Sequence, residues 1–277
     1  MKYRLIALDL DRTLLNDQGQ VSAQDTRALQ QAVQAGMYIV FASGRMSASI
    51  RRFSELLKID GPIISYNGAM ARDSLAHGDA VLLEVPLAAK YADTLIDYTT
   101  TEHFHLNYYL DETLYAREDL ELRRFADLYH ARTGSLFTFV PDLARFKGRR
   151  PTKLILLTDP SDPAHPNPRH RDELNFAWKE KWGEGVGIVR TDPEYLEFMN
   201  LAANKGVALE AIARQLGLPR EEVIAVGDGY NDTPMLQWAG LGVAVANAHA
   251  EVKAAADYVC HATNNDSPIR EILDRFA

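Results

Sequence analysis

A chain that runs Leu5-Ile6-Ala7-Leu8 without a polar side chain and then sets carboxylates at positions 9 and 11 has few ways to fold. The run has strand length, and Asn16 through Gly19 carry turn chemistry after it. On an extended strand, residues two apart share a face, so Asp9 and Asp11 are expected side by side with Cα atoms about 6.6 Å apart. Two carboxylates at that separation repel by roughly 2.5 kcal/mol at an effective dielectric of about 20. A strand that delivers such a pair to its end calls for a cation.

The same unit recurs along the chain. Val21 to Ala35 has helical spacing, with Thr26, Leu29, Gln30 and Val33 on one face, Ser22 as cap and Gly36 as stop. Met37 to Ala42 is a fully apolar run of the kind a central parallel strand needs, and it ends in Ser43-Gly44-Arg45 before a helical pattern through Leu57. Pro62 to Ala69 is a further strand closing in an Asn-Gly turn, and Val81-Leu82-Leu83 completes a hairpin flap beside the sheet edge. In open α/β sheets ligands bind at the carboxyl ends of the strands, where Asp9 and Ser43 both fall.

Strands and helices stop alternating at about residue 84. Helices are expected over Leu87–Tyr98, Leu120–His130 and Arg171–Trp182, and strands at His103–Tyr108, Leu114–Ala116, Lys153–Leu157, Val186–Arg190 and Tyr195–Met199. Pro160, Pro163, Pro166 and Pro168 mark an irregular connector. This is an α+β insert whose sheet is covered on one face. The alternation returns with a helix from Lys205 capped by Asn204 and stopped by Gly217. Then come a strand from Glu222 to Val226 ending in Gly227-Asp228-Gly229-Tyr230-Asn231-Asp232, a short helix near Met235, a strand over Gly242–Val245 and a last helix from Pro268. The expected fold class is α/β, a doubly wound, mostly parallel sheet. Residues 1–83 and 200–277 form its core, and 84–199 an inserted α+β domain.

Composition narrows the chemistry. The 277 residues carry a formal charge of −8, which argues against a nucleic-acid backbone as principal partner. No apolar run has the length to cross a bilayer, the early apolar segment is broken by Asp9 and Asp11, and the single cysteine, Cys260, suits a reducing compartment. A cytoplasmic protein without a membrane partner is the expectation, with oligomeric state open.

Taken in order, Asp9-Leu10-Asp11-Arg12-Thr13-Leu14, Ser43-Gly44-Arg45, Asn67-Gly68-Ala69, Lys205-Gly206 and Gly227-Asp228-Gly229-Tyr230-Asn231-Asp232 resemble the motifs of the haloacid dehalogenase superfamily. The match is best to its Cof-type, sugar-phosphatase-like branch, whose large cap lies between the second and third motifs. The resemblance covers essentially the whole chain. It implies Mg²⁺-dependent hydrolysis of a small phosphorylated metabolite, a sugar phosphate first, beneath a cap that closes as a lid. Asp9 would be the nucleophile that forms an aspartyl-phosphate, and Asp11 the acid and then base. Mg²⁺ would take a carboxylate oxygen of Asp9, the backbone carbonyl of Asp11 and the carboxylate of Asp228, with Asp232 direct or through water. The side chains at 9, 11, 228 and 232 would thus converge on one ion. Thr13, Ser43, Gly44, Arg45, Lys205 and Asn231 would hold the phosphate, with Ser43 and Lys205 stabilising its charge.

Local chemistry leaves other roles open. Ser43 also suits a helix N-cap, Lys205 a solvated helix start, and Asp232 the residue before a Pro-led helix. His103 and His105 alternate on a strand but lack companion ligands, and Arg145, Lys147, Arg149 and Arg150 suit a solvated basic face. Tyr108, Tyr109 and Tyr115 suit the insert's core. Arg12 stands where the resemblance leads one to expect glycine, and Asn265-Asp266-Ser267-Pro268 lacks another. A phospho-acceptor signalling domain, a phosphate-binding regulator without turnover and a phosphomutase use related residues. The cap argues against the first, and Arg12 is the best argument for the second.

Overall fold

The computed structural model describes residues 2–158, 171–190 and 195–277, and the chain divides into two compact units. One comprises the residues up to Glu84 together with Ala203–Ala277, and the other is Val85–Ala202. The expected proline-marked connector lies outside the described residues.

The first unit opens with β1 (Leu5–Asp9), α1 (Ala23–Gln34), β2 (Tyr38–Ala42), α2 (Ser47–Leu57), β3 (Ile63–Ser65), β4 (Met70–Arg72) and β5 (Val81–Glu84). The second unit holds α3 (Ala89–Thr101), β6 (His105–Leu110), β7 (Thr113–Arg117), α4 (Arg123–Thr133), β8 (Phe137–Val140), β9 (Lys153–Leu157), α5 (Arg171–Trp182), β10 (Gly187–Arg190) and β11 (Tyr195–Met199). The chain then returns to the first unit through α6 (Lys205–Gln215), β12 (Val223–Gly227), α7 (Thr233–Trp238), β13 (Leu241–Ala244), α8 (Ala250–Ala255), β14 (Tyr258–Val259) and α9 (Pro268–Phe276).

The first unit's sheet has the order β14-β13-β12-β1-β2-β3-β4-β5. Pairing is parallel from β14 to β3 and antiparallel from β3 to β5, so the expected flap is the sheet's own edge. β1 lies between β12 and β2 and every one of its residues is buried, which is why its sequence shows no alternation. Asp9 pairs with Ala42 and Leu8 with Val226, so this register brings Ser43 and Asp228 to the carboxyl edge beside Asp9. Strand order reverses around β1, which puts Asp9 at the switch point where ligands bind in open α/β sheets.

Helix α1 differs from expectation in the face it buries. Asp25, Leu29 and Ala32 point inward while Val33 is 40% exposed. Asp25 is inside because its carboxylate accepts the backbone N–H of Arg270 at 2.8 Å, capping the start of α9. At the far side of the sheet the β3–β4 turn seats Gly68 with φ +95 against α6. A Cβ there would stand 2.1 Å from the carbonyl oxygen of Asn204 and 2.6 Å from the backbone nitrogen of Lys205.

The second unit's sheet has the order β10-β11-β9-β6-β7-β8, antiparallel except for β7 beside β8. Helices α3 and α5 supply Leu95, Ile96, Leu174 and Trp178 to a core with Tyr108, Leu154, Leu156 and Phe198. Helix α4 meets the opposite face, where the Tyr129 and Tyr109 hydroxyls lie 2.6 Å apart, so the sheet is not covered on one face alone. Tyr108 and Tyr109 are core, as expected, and Tyr115 packs against Phe146 at 4.6 Å between ring centroids. His103 pairs with Asp119 at 2.9 Å, and buried His105, pushed down to about 4 by desolvation, meets the Asn107 side-chain oxygen at 2.8 Å. Lys147 and Arg149 pair with Asp97 and Asp111.

Gly68→Ala places a methyl group in backbone at a left-handed position, so it should destabilise the first unit by at least about 2 kcal/mol in a urea melt and lower activity by displacing Lys205. An unchanged midpoint would contradict this packing.

Candidate active site

The end of β1 delivers Asp9, which is 5% exposed, into a cluster made by the start of α6 and the loop after β12. Lys205 is fully buried, and its Nζ donates to Asp9 Oδ1 and Asp232 Oδ1, each at 2.6 Å. The solvated-lysine alternative therefore fails. Asn204 caps α6 by accepting from the Val207 N–H at 3.0 Å, which directs the Lys205 side chain inward at the first helical residue. Asp232 folds back over the end of β12, its Oδ2 accepting the N–H groups of Asp228 at 3.0 Å and Gly229 at 2.9 Å. A side chain at Gly227 would meet the Asp232 Cβ at 2.4 Å, so only glycine admits this fold-back.

Asp228 completes the group, its Oδ1 taking the hydroxyl of fully buried Thr13 at 3.1 Å. Ligand atoms of Asp9, Asp228 and Asp232 all lie within 4.8 Å of one another. Burial, then the charge of Asp232, hold the Asp9 carboxyl well above the usual carboxylate range against the pull of Lys205. The same two causes raise Asp228. Burial pulls against the Lys205 charge, but the charges of Asp232 and Asp9 outweigh it and hold the ammonium above the ordinary lysine range.

Asp11 does not join its side chain to this trio. Its carboxylate is 52% exposed and takes a bidentate grip from Arg45, with Nε at 2.9 Å and Nη2 at 2.5 Å. β1 ends at Asp9, and the chain turns at once, with the Leu15 N–H donating to Leu10 O at 2.8 Å, so residues 9 and 11 no longer share a strand face. Convergence of four acidic side chains is thus corrected to three, and only the backbone carbonyl of Asp11 is left as its expected ligand atom.

Ser43 is buried at the end of β2 and is not a cap, since α2 begins after Met46 with no side-chain cap bond. Its Oγ accepts the Arg45 N–H at 3.3 Å. Asn67 ties the remaining motifs together. Its N–H donates to Ser43 O at 3.0 Å, its Oδ1 accepts from Asn231 Nδ2 at 3.0 Å, and a Cβ on Gly44 would lie 2.9 Å from that same oxygen. In the sequence Asn67 stands in a turn and in one of the motifs that carry the resemblance, but without a role of its own. Asn247 and His249 had no local signal: the first donates to Arg12 O at 2.7 Å and the second, through its N–H, to Asp228 O at 3.1 Å.

Three carboxyl groups meet at one buried ammonium, with the solvent-facing Arg12 guanidinium 3.8 Å from Asp228, in a pocket of oxygen donors. Hard oxygen ligands fit a small divalent cation, and among the described residues the cluster has no imidazole or thiol ligand that would favour a softer one.

Comparison with known proteins agrees with this geometry. The family described as haloacid dehalogenase-like hydrolase matches residues 6–273. The phosphatase YwpJ of Bacillus subtilis is 29% identical over 98% of both chains, and the pyridoxal phosphate phosphatase YbhA of Escherichia coli is 30% identical over 96% of both. The crystal structure of TM0651 from Thermotoga maritima superposes with a TM-score of 0.87 at 31% identity, covering 99% of this chain and 98% of that one. With its family match running from β1 into α9 and the acidic trio seated at the strand ends, the chain belongs to the haloacid dehalogenase-like hydrolases.

Proposed function

We propose that the chain is a Mg²⁺-dependent phosphatase that cleaves a small phosphorylated metabolite through an aspartyl-phosphate on Asp9. The observation that carries this is the buried Lys205 bridge between Asp9 and Asp232, with Asp228 beside it and Ser43 on the adjoining strand end. Lys205 fixes one oxygen of Asp9 and so orients the carboxylate for in-line attack on phosphorus. The Asp9 oxygen–phosphorus bond forms as the ester bond breaks, and the proton of Asp11 goes to the leaving oxygen. Water then attacks phosphorus, gives a proton to Asp11 and frees Asp9 with release of phosphate. The Asp9 and Asp228 carboxylates and the Asp11 carbonyl, with Asp232 direct or through water, would hold Mg²⁺, which when bound would supply positive charge to the phosphoryl oxygens.

The chain's own groups do the positioning. Ser43 and Lys205 stabilise charge on the equatorial oxygens, with Thr13, Gly44 and Asn231 shaping the loops around them. Arg45 holds the Asp11 carboxylate by two bonds outside the metal cluster, a grip that must be released for Asp11 to act as acid. A sugar phosphate is the first substrate expected on the Cof-type resemblance, and pyridoxal phosphate is the competitor that the likeness to YbhA brings in. Among the described residues no helix is long and apolar enough to cross a membrane.

Asp9→Asn should cut turnover of a phosphate monoester by at least roughly 10³-fold while circular dichroism stays unchanged, and retained turnover would remove Asp9 as nucleophile. Chelation with EDTA should abolish phosphate release and added Mg²⁺ should restore it; activity indifferent to both would contradict the metal assignment. In a panel assayed for free phosphate, sugar phosphates should give a higher kcat/KM than pyridoxal phosphate, and the reverse order would reassign the substrate.

A further inference from the structure

Arg12 has φ 63, a left-handed backbone that residues with side chains adopt rarely. Strain kept beside an active site points to a use for the residue that bears it. The loop is braced in this conformation. Asn247 donates to Arg12 O at 2.7 Å, its own side-chain oxygen accepts the Asn264 N–H at 2.8 Å, and Asn264 Nδ2 reaches Leu15 O at 3.1 Å.

The braced backbone lays the Arg12 side chain along Asp228, with Nε 3.8 Å from Oδ2. Thr13 already occupies Oδ1, so both oxygens of this carboxylate face a donor from the loop after β1. The Arg12 side chain is 61% exposed, so the pair adds little to folding stability, and its consequence lies in ion binding. A guanidinium also matches phosphate oxygens better than a single distant carboxylate oxygen, and a dianion attracts it more strongly.

The geometry points to Arg12 as a resident counter-ion of Asp228, which a divalent cation entering the Asp9–Asp228–Asp232 cluster displaces and which the substrate's phosphate draws off. This rests on the metal-dependent phosphatase reading above and adds to it that cation and phosphate bind cooperatively, with Arg12 as the shared element. A solvent-screened guanidinium this close opposes a divalent ion by roughly 3- to 10-fold in affinity.

The test is Mg²⁺ titration by isothermal calorimetry on the full chain at low ionic strength, with and without saturating inorganic phosphate. Arg12→Gln keeps the side-chain reach and the backbone strain but removes the charge, and Arg12→Lys keeps the charge. Without phosphate, Arg12→Gln should bind Mg²⁺ roughly 3- to 10-fold tighter than the natural chain, and Arg12→Lys within about 2-fold of it. Phosphate should shrink the first difference to less than about 2-fold. Equal or weaker Mg²⁺ binding by Arg12→Gln overturns the counter-ion role, and a difference that phosphate leaves unchanged overturns the hand-over. A natural chain that takes no Mg²⁺, with Asp228→Asn no different, overturns the metal centre and this role with it; metal binding lost in Asp228→Asn but unmoved in Arg12→Gln overturns only the latter.

Discussion

The structure of the site depends on one buried cation. Lys205 has no solvent contact, and an ammonium in that position is tolerable only because Asp9 and Asp232 each accept from it at 2.6 Å. The bridge links the end of β1, the start of α6 and the approach to α7, three segments distant in the chain. Removing either carboxylate leaves a charge buried with half its partners, at a cost on the order of 3–5 kcal/mol. The contact on which the proposed chemistry relies therefore also holds the fold.

Backbone close approach makes that contact possible. β1 takes its central place because an unbroken apolar strand needs neighbours on both edges and cover on both faces. Parallel pairing then sets Asp9, Ser43 and Asp228 at one rim by register alone. Gly227 lets Asp232 fold over the strand end, and Gly68 lets the β3–β4 turn rest on the backbone of Asn204 and Lys205. The second unit carries its own apolar core and its own buried pair, Lys153 with Glu197 at 3.3 Å on adjacent strands.

Much of this was legible because it rests on local pattern. Strand-length apolar runs with carboxylates or a serine at their ends marked β1, β2 and β12, and Ser22, Asn204 and Gly217 marked helix ends that the structure keeps. What could not be read depends on partners far away in the chain. Lys205 at a helix start is indistinguishable in sequence from a solvated lysine until Asp9 and Asp232 are placed around it. Asp11 was assigned by strand alternation to the same face as Asp9, and an immediate turn sends it to Arg45 instead. Asp25 faces inward because α9, some 240 residues on, needs a cap. β8 is four residues of alternating aromatic character in the parallel place beside β7 that the α4 crossover creates, and β14 is two residues long; neither run is long enough to show a period.

The claim on which the chemistry turns is that phosphorus becomes covalently attached to Asp9. Acid quenching during turnover of a phosphorylated substrate, followed by peptide mass mapping, tests this directly. The account predicts a hydroxylamine-labile phosphate on the peptide containing Asp9, absent without substrate. Phosphate found on Ser43, or on no residue while turnover proceeds, would contradict it.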